Sequence, residues 1–396
     1  MKKNKYFLVF TLFVFLFFLW GFAHSLLDIL NKHFQDIFII SKFRSTLVQV
    51  AVYGGYFLMA LPAGMFIRKY SYQKSIILGL TLFAIGAFLF IPSDHFQSFG
   101  FFVFSLFIIG CGLTFLETAA NPYIITLGDP KTGASRLNLA QSFNGLGWIF
   151  GPMIGAIMVF NADGSSGNVS SPYILIGCIV LLLAIIFIFI KLPNIESNNN
   201  RSSNISELKS LLKNRVFLFG VMAQFLYVGA QTGINSFFIN YVIELDHSIV
   251  PRDAALLLSF GGMGLFMIGR LSGSLVMKRV KPEVLLLFSS IIASLLMLIV
   301  IFSIGKISLM ALFSTYFFMS IMFPTIFALS IQNLGEQTEK GSSLLVMSIV
   351  GGAIIPPIMG LIGKTQISIG FIIPCICFIG VMSYALFKTK TNPNYE

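Results

Sequence analysis

Twelve predominantly apolar stretches succeed one another along this chain, most of them at or above the length of about 20 residues that a helix needs to cross the hydrocarbon core of a bilayer. The first six run at 6–30, 44–67, 74–92, 98–122, 134–160 and 172–191. The second six run at 215–243, 254–277, 283–304, 307–330, 341–363 and 368–387. They are too long for barrel strands and lack the strict alternation such strands carry. Backbone immersed in lipid must satisfy its own hydrogen bonds, so helices remain. The sequence therefore predicts an all-α membrane protein of twelve transmembrane helices. Only 10% of the residues are charged, against roughly 25% in a soluble domain, so water is not the main solvent.

The first run, led by Lys2, Lys3 and Lys5, resembles a signal peptide. Its apolar part is too long and no small-residue cleavage site follows, so it reads as the first span. Between the sixth and seventh runs the chain turns polar, from Pro193-Asn194-Ile195-Glu196 through Ser203-Asn204, with room for a short surface helix at 205–213. This break divides the chain into a bundle at 1–192, a cytoplasmic linker at 193–213 and a second bundle at 214–396.

Lys and Arg set the orientation. Nineteen of the 26 lie at the two termini and in the even-to-odd loops, all on one side of an even number of spans. The positive-inside bias puts both termini in the cytoplasm of a cell whose inner membrane holds the chain. The net charge of +11 is thus spread through loops that face anionic lipid, and nucleic-acid binding is excluded by the absence of a single basic patch. Cys111, Cys178, Cys375 and Cys377 all sit inside apolar runs and read as small buried hydrophobes, neither a disulfide framework nor a metal site. Gly261-Gly262-Met263-Gly264 and Gly351-Gly352 permit close helix approach and lack the Lys-Ser/Thr signature of a phosphate loop. No cofactor is expected.

The halves repeat one pattern faintly. Asn121-Pro122-Tyr123-Ile124 corresponds to Phe323-Pro324-Thr325-Ile326, and Gly151-Pro152-Met153-Ile154-Gly155 to Pro356-Pro357-Ile358-Met359-Gly360. Gly/Pro-interrupted helices at matching places of two halves point to a secondary transporter.

Of fifteen acidic residues, only Asp28 and Glu117 fall well inside spans. An ionised carboxylate there costs at least a few kcal/mol, and burial in general raises a carboxyl's pKa toward neutrality. Both are candidates for proton coupling; the alternative is a structural carboxylate paired with a cation. Gln49, Tyr53, Asn121, Gln141 and Asn144 in the first half, and Gln224, Tyr227, Gln231 and Asn235 in the second, are candidates for contacting a sugar. Amides and hydroxyls both donate and accept hydrogen bonds, as sugar hydroxyls require, and Gln224, Tyr227 and Gln231 share one helix face. Interhelical hydrogen bonding is the alternative for each. Trp20 and Trp148 can stack on a sugar face or pack. His24, one turn before Asp28, is a possible modulator of that acid. His33, His95 and His247 are scattered without partners, so an embedded enzyme is disfavoured.

The strings Phe17-Phe18-Leu19-Trp20-Gly21, Asp28-Ile29-Leu30 and Val52-Tyr53-Gly54-Gly55-Tyr56-Phe57 resemble the fucose/proton symporter family of the major facilitator superfamily. So do Leu116-Glu117-Thr118-Ala119-Ala120-Asn121-Pro122, Arg136-Leu137-Asn138-Leu139-Ala140-Gln141-Ser142-Phe143-Asn144 and Ala223-Gln224-Phe225-Leu226-Tyr227-Val228-Gly229-Ala230-Gln231-Thr232. The resemblance covers nearly the whole chain. It implies two pseudo-symmetric six-helix bundles that work by alternating access, with Asp28 and Glu117 as the family's two membrane carboxylates and Asn144 in a cavity wall. It implies a monomeric proton/monosaccharide symporter, L-fucose being the leading substrate. One departure stands out: His24-Ser25-Leu26-Leu27 replaces an asparagine-rich stretch before the first carboxylate. Glucose, galactose or N-acetylglucosamine, coupling to sodium, and uncoupled transport or sensing therefore stay as alternatives.

Overall fold

The computed structural model describes residues 2–126, 133–159, 169–190, 192–193, 211, 213–277, 279–331, 334 and 338–391. Two compact units emerge, Met1–Phe38 with Ala51–Ser202, and Ile39–Val50 with Ser203–Glu396. Most of the expected linker at 193–213 lies outside the described residues.

The first unit is built from α1 (Lys2–Phe38), α2 (Leu47–Lys69), α3 (Tyr72–Phe88), α4 (Phe99–Thr126), α5 (Gly133–Met158) and α6 (Ser170–Phe189). A short helix, Phe90–His95, extends α3. The first turn of α2 and the helix Lys42–Ser45 before it belong to the strap 39–50 that groups with the second unit. In the second unit, α7 (Arg215–Leu245) precedes α8 (Gly264–Val276), which is entered through Pro251–Leu256 and a π turn, Leu257–Met263. Then come α9 (Pro282–Phe302), α10 (Gly305–Met319), α11 (Gly351–Ile362) and α12 (Ile372–Thr391). The path of α10 resumes after a break as Met322–Ile331, and α11 is reached through Thr338–Met347.

Among the described residues, eleven helical stretches are long and apolar enough to cross a membrane. The twelfth expected span, the fifth in order, is the 26-residue α5. The burial pattern suits lipid rather than water. On α2, Leu58, Leu61 and Met65 are 58%, 56% and 57% exposed, while Ser25, Asn31 and His33 of α1 are fully buried. Apolar outside and polar inside, this is a multi-pass membrane protein.

Glycine decides how closely the helices cross. A Cβ on Gly147 of α5 would stand 2.3 Å from the Phe18 carbonyl oxygen of α1, and one on Gly21 of α1 would stand 2.1 Å from the Asn144 carbonyl oxygen. Backbone meets backbone there, so only glycine fits. The second unit repeats the device: a Cβ on Gly351 would lie 2.1 Å from the Phe225 carbonyl oxygen of α7. In each unit a glycine thus lets its helix meet the backbone of the unit's first helix, α1 or α7.

Candidate functional site

In the first unit, the polar residues gather around the α1–α2–α4–α5 contact. Glu117 of α4 and Asp28 of α1 are 8% and 4% exposed, so both acids are inside the unit, away from its lipid-facing surface. Their surroundings differ. Glu117 and Trp20 both lie close enough to Tyr56 of α2 to interact with it electrostatically. Asp28 interacts electrostatically with Tyr173 of α6, whose ring is stacked on Phe90 at a centroid distance of 3.8 Å.

His24 occupies the centre of an aromatic cage. Its ring lies 6.4 Å from Trp20, 5.8 Å from Tyr53, 5.6 Å from Tyr56 and 6.1 Å from Trp148, with Trp148 nearly parallel at 23°. Its Nε2 is 3.0 Å from the Tyr56 hydroxyl. The sequence reading linked His24 to Asp28, its neighbour one turn on. The hydrogen-bond partner that the structure gives its ring is the Tyr56 hydroxyl. Tyr56 was not among the candidates, although Gln49, Tyr53 and Tyr56 follow one another at i, i+4 and i+7 on α2, a spacing that puts all three on one face.

Of the remaining first-half candidates, Gln141 donates from Nε2 to Asn121 Oδ1 at 3.4 Å, which brings two of them together across α5 and α4. Asn144 spends an amide hydrogen on the Phe17 carbonyl at 3.0 Å, an interhelical bond at the glycine crossing. Tyr53 lines the cage. Gln49, fully buried, lies in the strap that groups with the second unit.

In the second unit, Tyr227 donates to the Met319 carbonyl at 2.9 Å, and Asn235 accepts from the Tyr316 hydroxyl at 2.9 Å. Both bonds tie α7 to α10, the interhelical use anticipated as the alternative. Gln231, half-buried, shares their helix. Gln224 differs: it is fully buried and neither amide atom meets a protein partner. Since a buried amide without partners costs a few kcal/mol, Gln224 is the second-half candidate whose chemistry is best suited to a ligand.

Beside this face stands Arg270 of α8, a cation within a membrane-spanning stretch that interacts with Tyr227. Pro324 has no N–H to offer the carbonyl four residues earlier. The freed Ser320 carbonyl takes Arg270 Nε at 3.4 Å, and the guanidinium lies 4.8 Å over the Phe266 ring. Among the described residues no group of three or more His, Cys, Asp or Glu side chains is arranged to hold a metal ion.

A family model described as Major Facilitator Superfamily matches residues 7–357. The chain is 38% identical to the L-fucose-proton symporter of Escherichia coli (strain K12), over 99% of this chain and 96% of that protein. It is 35% identical to a glucose/galactose transporter of Brucella abortus, over 98% of this chain and 96% of the relative. Among solved structures, a Major Facilitator Superfamily transporter, FucP, in the outward conformation aligns with a TM-score of 0.74 and 39% identity, over 97% of this chain and 99% of that one. A D-xylose-proton symporter, at 16% identity and a TM-score of 0.76, shares the fold.

Proposed function

The chain belongs to the Major Facilitator Superfamily, and from that membership we propose that it is a proton-coupled monosaccharide symporter, with L-fucose the leading substrate. It acts by alternating access in a bacterial inner membrane, as a monomer with both termini in the cytoplasm. It carries out no covalent chemistry and needs no cofactor. Proton and sugar are its cargo.

The observation that supports this reading most is the burial of Glu117 in a membrane-spanning helix of the first unit, near Tyr56. A carboxylate buried there beside Tyr56 is costly to keep ionised. Aromatic rings, amides and hydroxyls concentrated in the same unit are the groups that suit the apolar face and the hydroxyls of a pyranose. One group can thus sense both cargoes. A proton that binds one conformation better than the other biases the exchange between them by that differential affinity alone. Asp28, near Tyr173, serves as the acid that gates the transition.

Glucose or galactose is the alternative cargo. His24-Ser25-Leu26-Leu27 departs from the asparagine-rich stretch before the first carboxylate of the fucose symporters, and a glucose/galactose transporter is 35% identical to this chain. Uptake of radiolabelled L-fucose into proteoliposomes, competed with unlabelled sugars and repeated with a proton uncoupler, separates the readings. Uncoupler-sensitive uptake competed best by L-fucose is expected, and Glu117→Gln and Asp28→Asn should abolish accumulation driven by a pH gradient. Full gradient-driven uptake in both variants would remove the proton role.

A further inference from the structure

We propose that the cleft at the entry to α8 holds one ethanolamine phospholipid, with an acyl chain in the cleft, its ammonium on Asp253 and its phosphate near Arg252. The ligand is distinct from the transported cargo, and the inference stands apart from the transport reading.

The cleft has a volume of about 330 Å³ and is lined by Ile249, Asp253, Leu256, Leu257, Phe260 and Gly261. Every one of these except Asp253 is apolar or glycine. They recur at i, i+4, i+7, i+8, i+11 and i+12, so one face of a single helical path makes the wall. Two local features shape it. The path runs through the π turn Leu257–Met263, which interrupts the regular stacking of side chains along an α-helix. At Gly261 a Cβ would come 2.5 Å from the Phe313 ring of α10, so the missing side chain makes room for that ring directly behind the cleft.

Depth identifies the class of occupant. The cleft belongs to a stretch long and apolar enough to cross a membrane, Pro251–Gly273, so the solvent for its outer surface is hydrocarbon. Phe260 and, further along, Ile268, Leu271 and Leu275 are all exposed. Between Phe260 and Ile268, a Cβ on Gly264 would meet nothing within 4 Å. That notch continues the cleft along the helix. The path from Asp253 to Gly264 rises about 16 Å at about 1.5 Å per residue, close to half of a hydrocarbon core about 30 Å thick. This is the depth of one leaflet, reached by one acyl chain whose headgroup stands at Asp253.

Charge selects the headgroup. Asp253 is exposed, and among the described residues no ion pair joins it to a cation. The acids just before it are engaged: Glu244 pairs with Lys42, and Asp246 Oδ1 accepts from the Ser248 backbone N–H at 3.0 Å and from Ser248 Oγ at 2.6 Å. A carboxylate only accepts hydrogen bonds, so it favours a cation that donates them and disfavours an anionic headgroup. The ethanolamine ammonium carries three N–H groups, whereas the trimethylated ammonium of choline carries none. Arg252, the adjacent residue, has a buried Nε with no hydrogen-bond partner, and a guanidinium suits a phosphate. Neighbouring side chains of opposite charge thus match the two charges of a zwitterionic lipid.

The test is native mass spectrometry of the full-length protein titrated with phosphatidylethanolamine, phosphatidylcholine and phosphatidylglycerol of identical acyl chains. The expected result is one phosphatidylethanolamine retained in preference to the other two. Asp253→Asn should reduce that preference by up to about fivefold, the size of an exposed ion pair. Arg252→Gln should weaken all three lipids alike, because each carries the phosphate. Gly264→Leu should also weaken all three, by filling the notch that the acyl chain follows. Asp253 is exposed and Gly264 borders open space, so both variants should keep the fold, and their melting temperatures check this. Equal retention of the three lipids by the parent, a preference for phosphatidylglycerol, or an undiminished preference in Asp253→Asn would each overturn the proposal. So would parent-like binding in both Arg252→Gln and Gly264→Leu, or displacement of the lipid by L-fucose, which would assign the cleft to the cargo.

Discussion

Glu244→Gln should loosen the strap at residues 39–50. In the second unit Glu244 forms an ion pair with Lys42, and its other oxygen accepts the Ile367 backbone N–H at 2.7 Å. Lys42 also donates to the Gly363 carbonyl at 3.3 Å, and its backbone approaches Gly360 closely enough that a Cβ there would lie 3.0 Å away. The paired side chains are 18% and 28% exposed, so solvent screens much of their attraction and about 1 kcal/mol is a fair value for the charge. A glutamine oxygen still accepts from Ile367, but its amide nitrogen then faces Lys42, so the ion pair and its hydrogen bond are lost together. One kcal/mol corresponds to about a fivefold rise in the fraction of undocked strap. Trypsin can cut after Lys42 and after the exposed Arg44, and when redocking outpaces cleavage the cutting rate follows the undocked population. Peptide mapping over a time course should show cleavage in the strap about five times faster in Glu244→Gln. An unchanged rate, with the variant as heat-stable as the parent, would mean that the ion pair holds nothing in place.

Two further perturbations probe the helix crossings and the start of the strap. Gly147→Ala and Gly351→Ala each force a methyl against backbone at 2.3 and 2.1 Å, and each is expected to cost about 1–3 kcal/mol, read as a lower melting temperature in detergent. Gly145→Ala, with nothing within 4 Å, should melt like the parent. Ile39 sits at a φ of 50° with 92% of its surface exposed, a conformation that costs an L-residue about 1–2 kcal/mol. Ile39→Gly should therefore raise the melting temperature, and a fall would show that its side chain is held by contacts outweighing the strain.

The spans, their order and the presence of two buried acids were legible in the sequence because each is a local property. Twenty apolar residues form a membrane helix wherever they stand, and a carboxyl within such a run is costly whatever its neighbours. Which side chains meet was not legible. Gly21 and Gly147 let α1 and α5 come together until backbone touches backbone, and that close approach gives the Asn144 amide to the Phe17 carbonyl. Likewise His24 stands one turn from Asp28 in sequence, yet the partner that the structure gives its ring is Tyr56 of α2. Hydrophobic length belongs to a segment. A hydrogen-bond partner belongs to the distance and rotation between two helices, and only tertiary packing sets those.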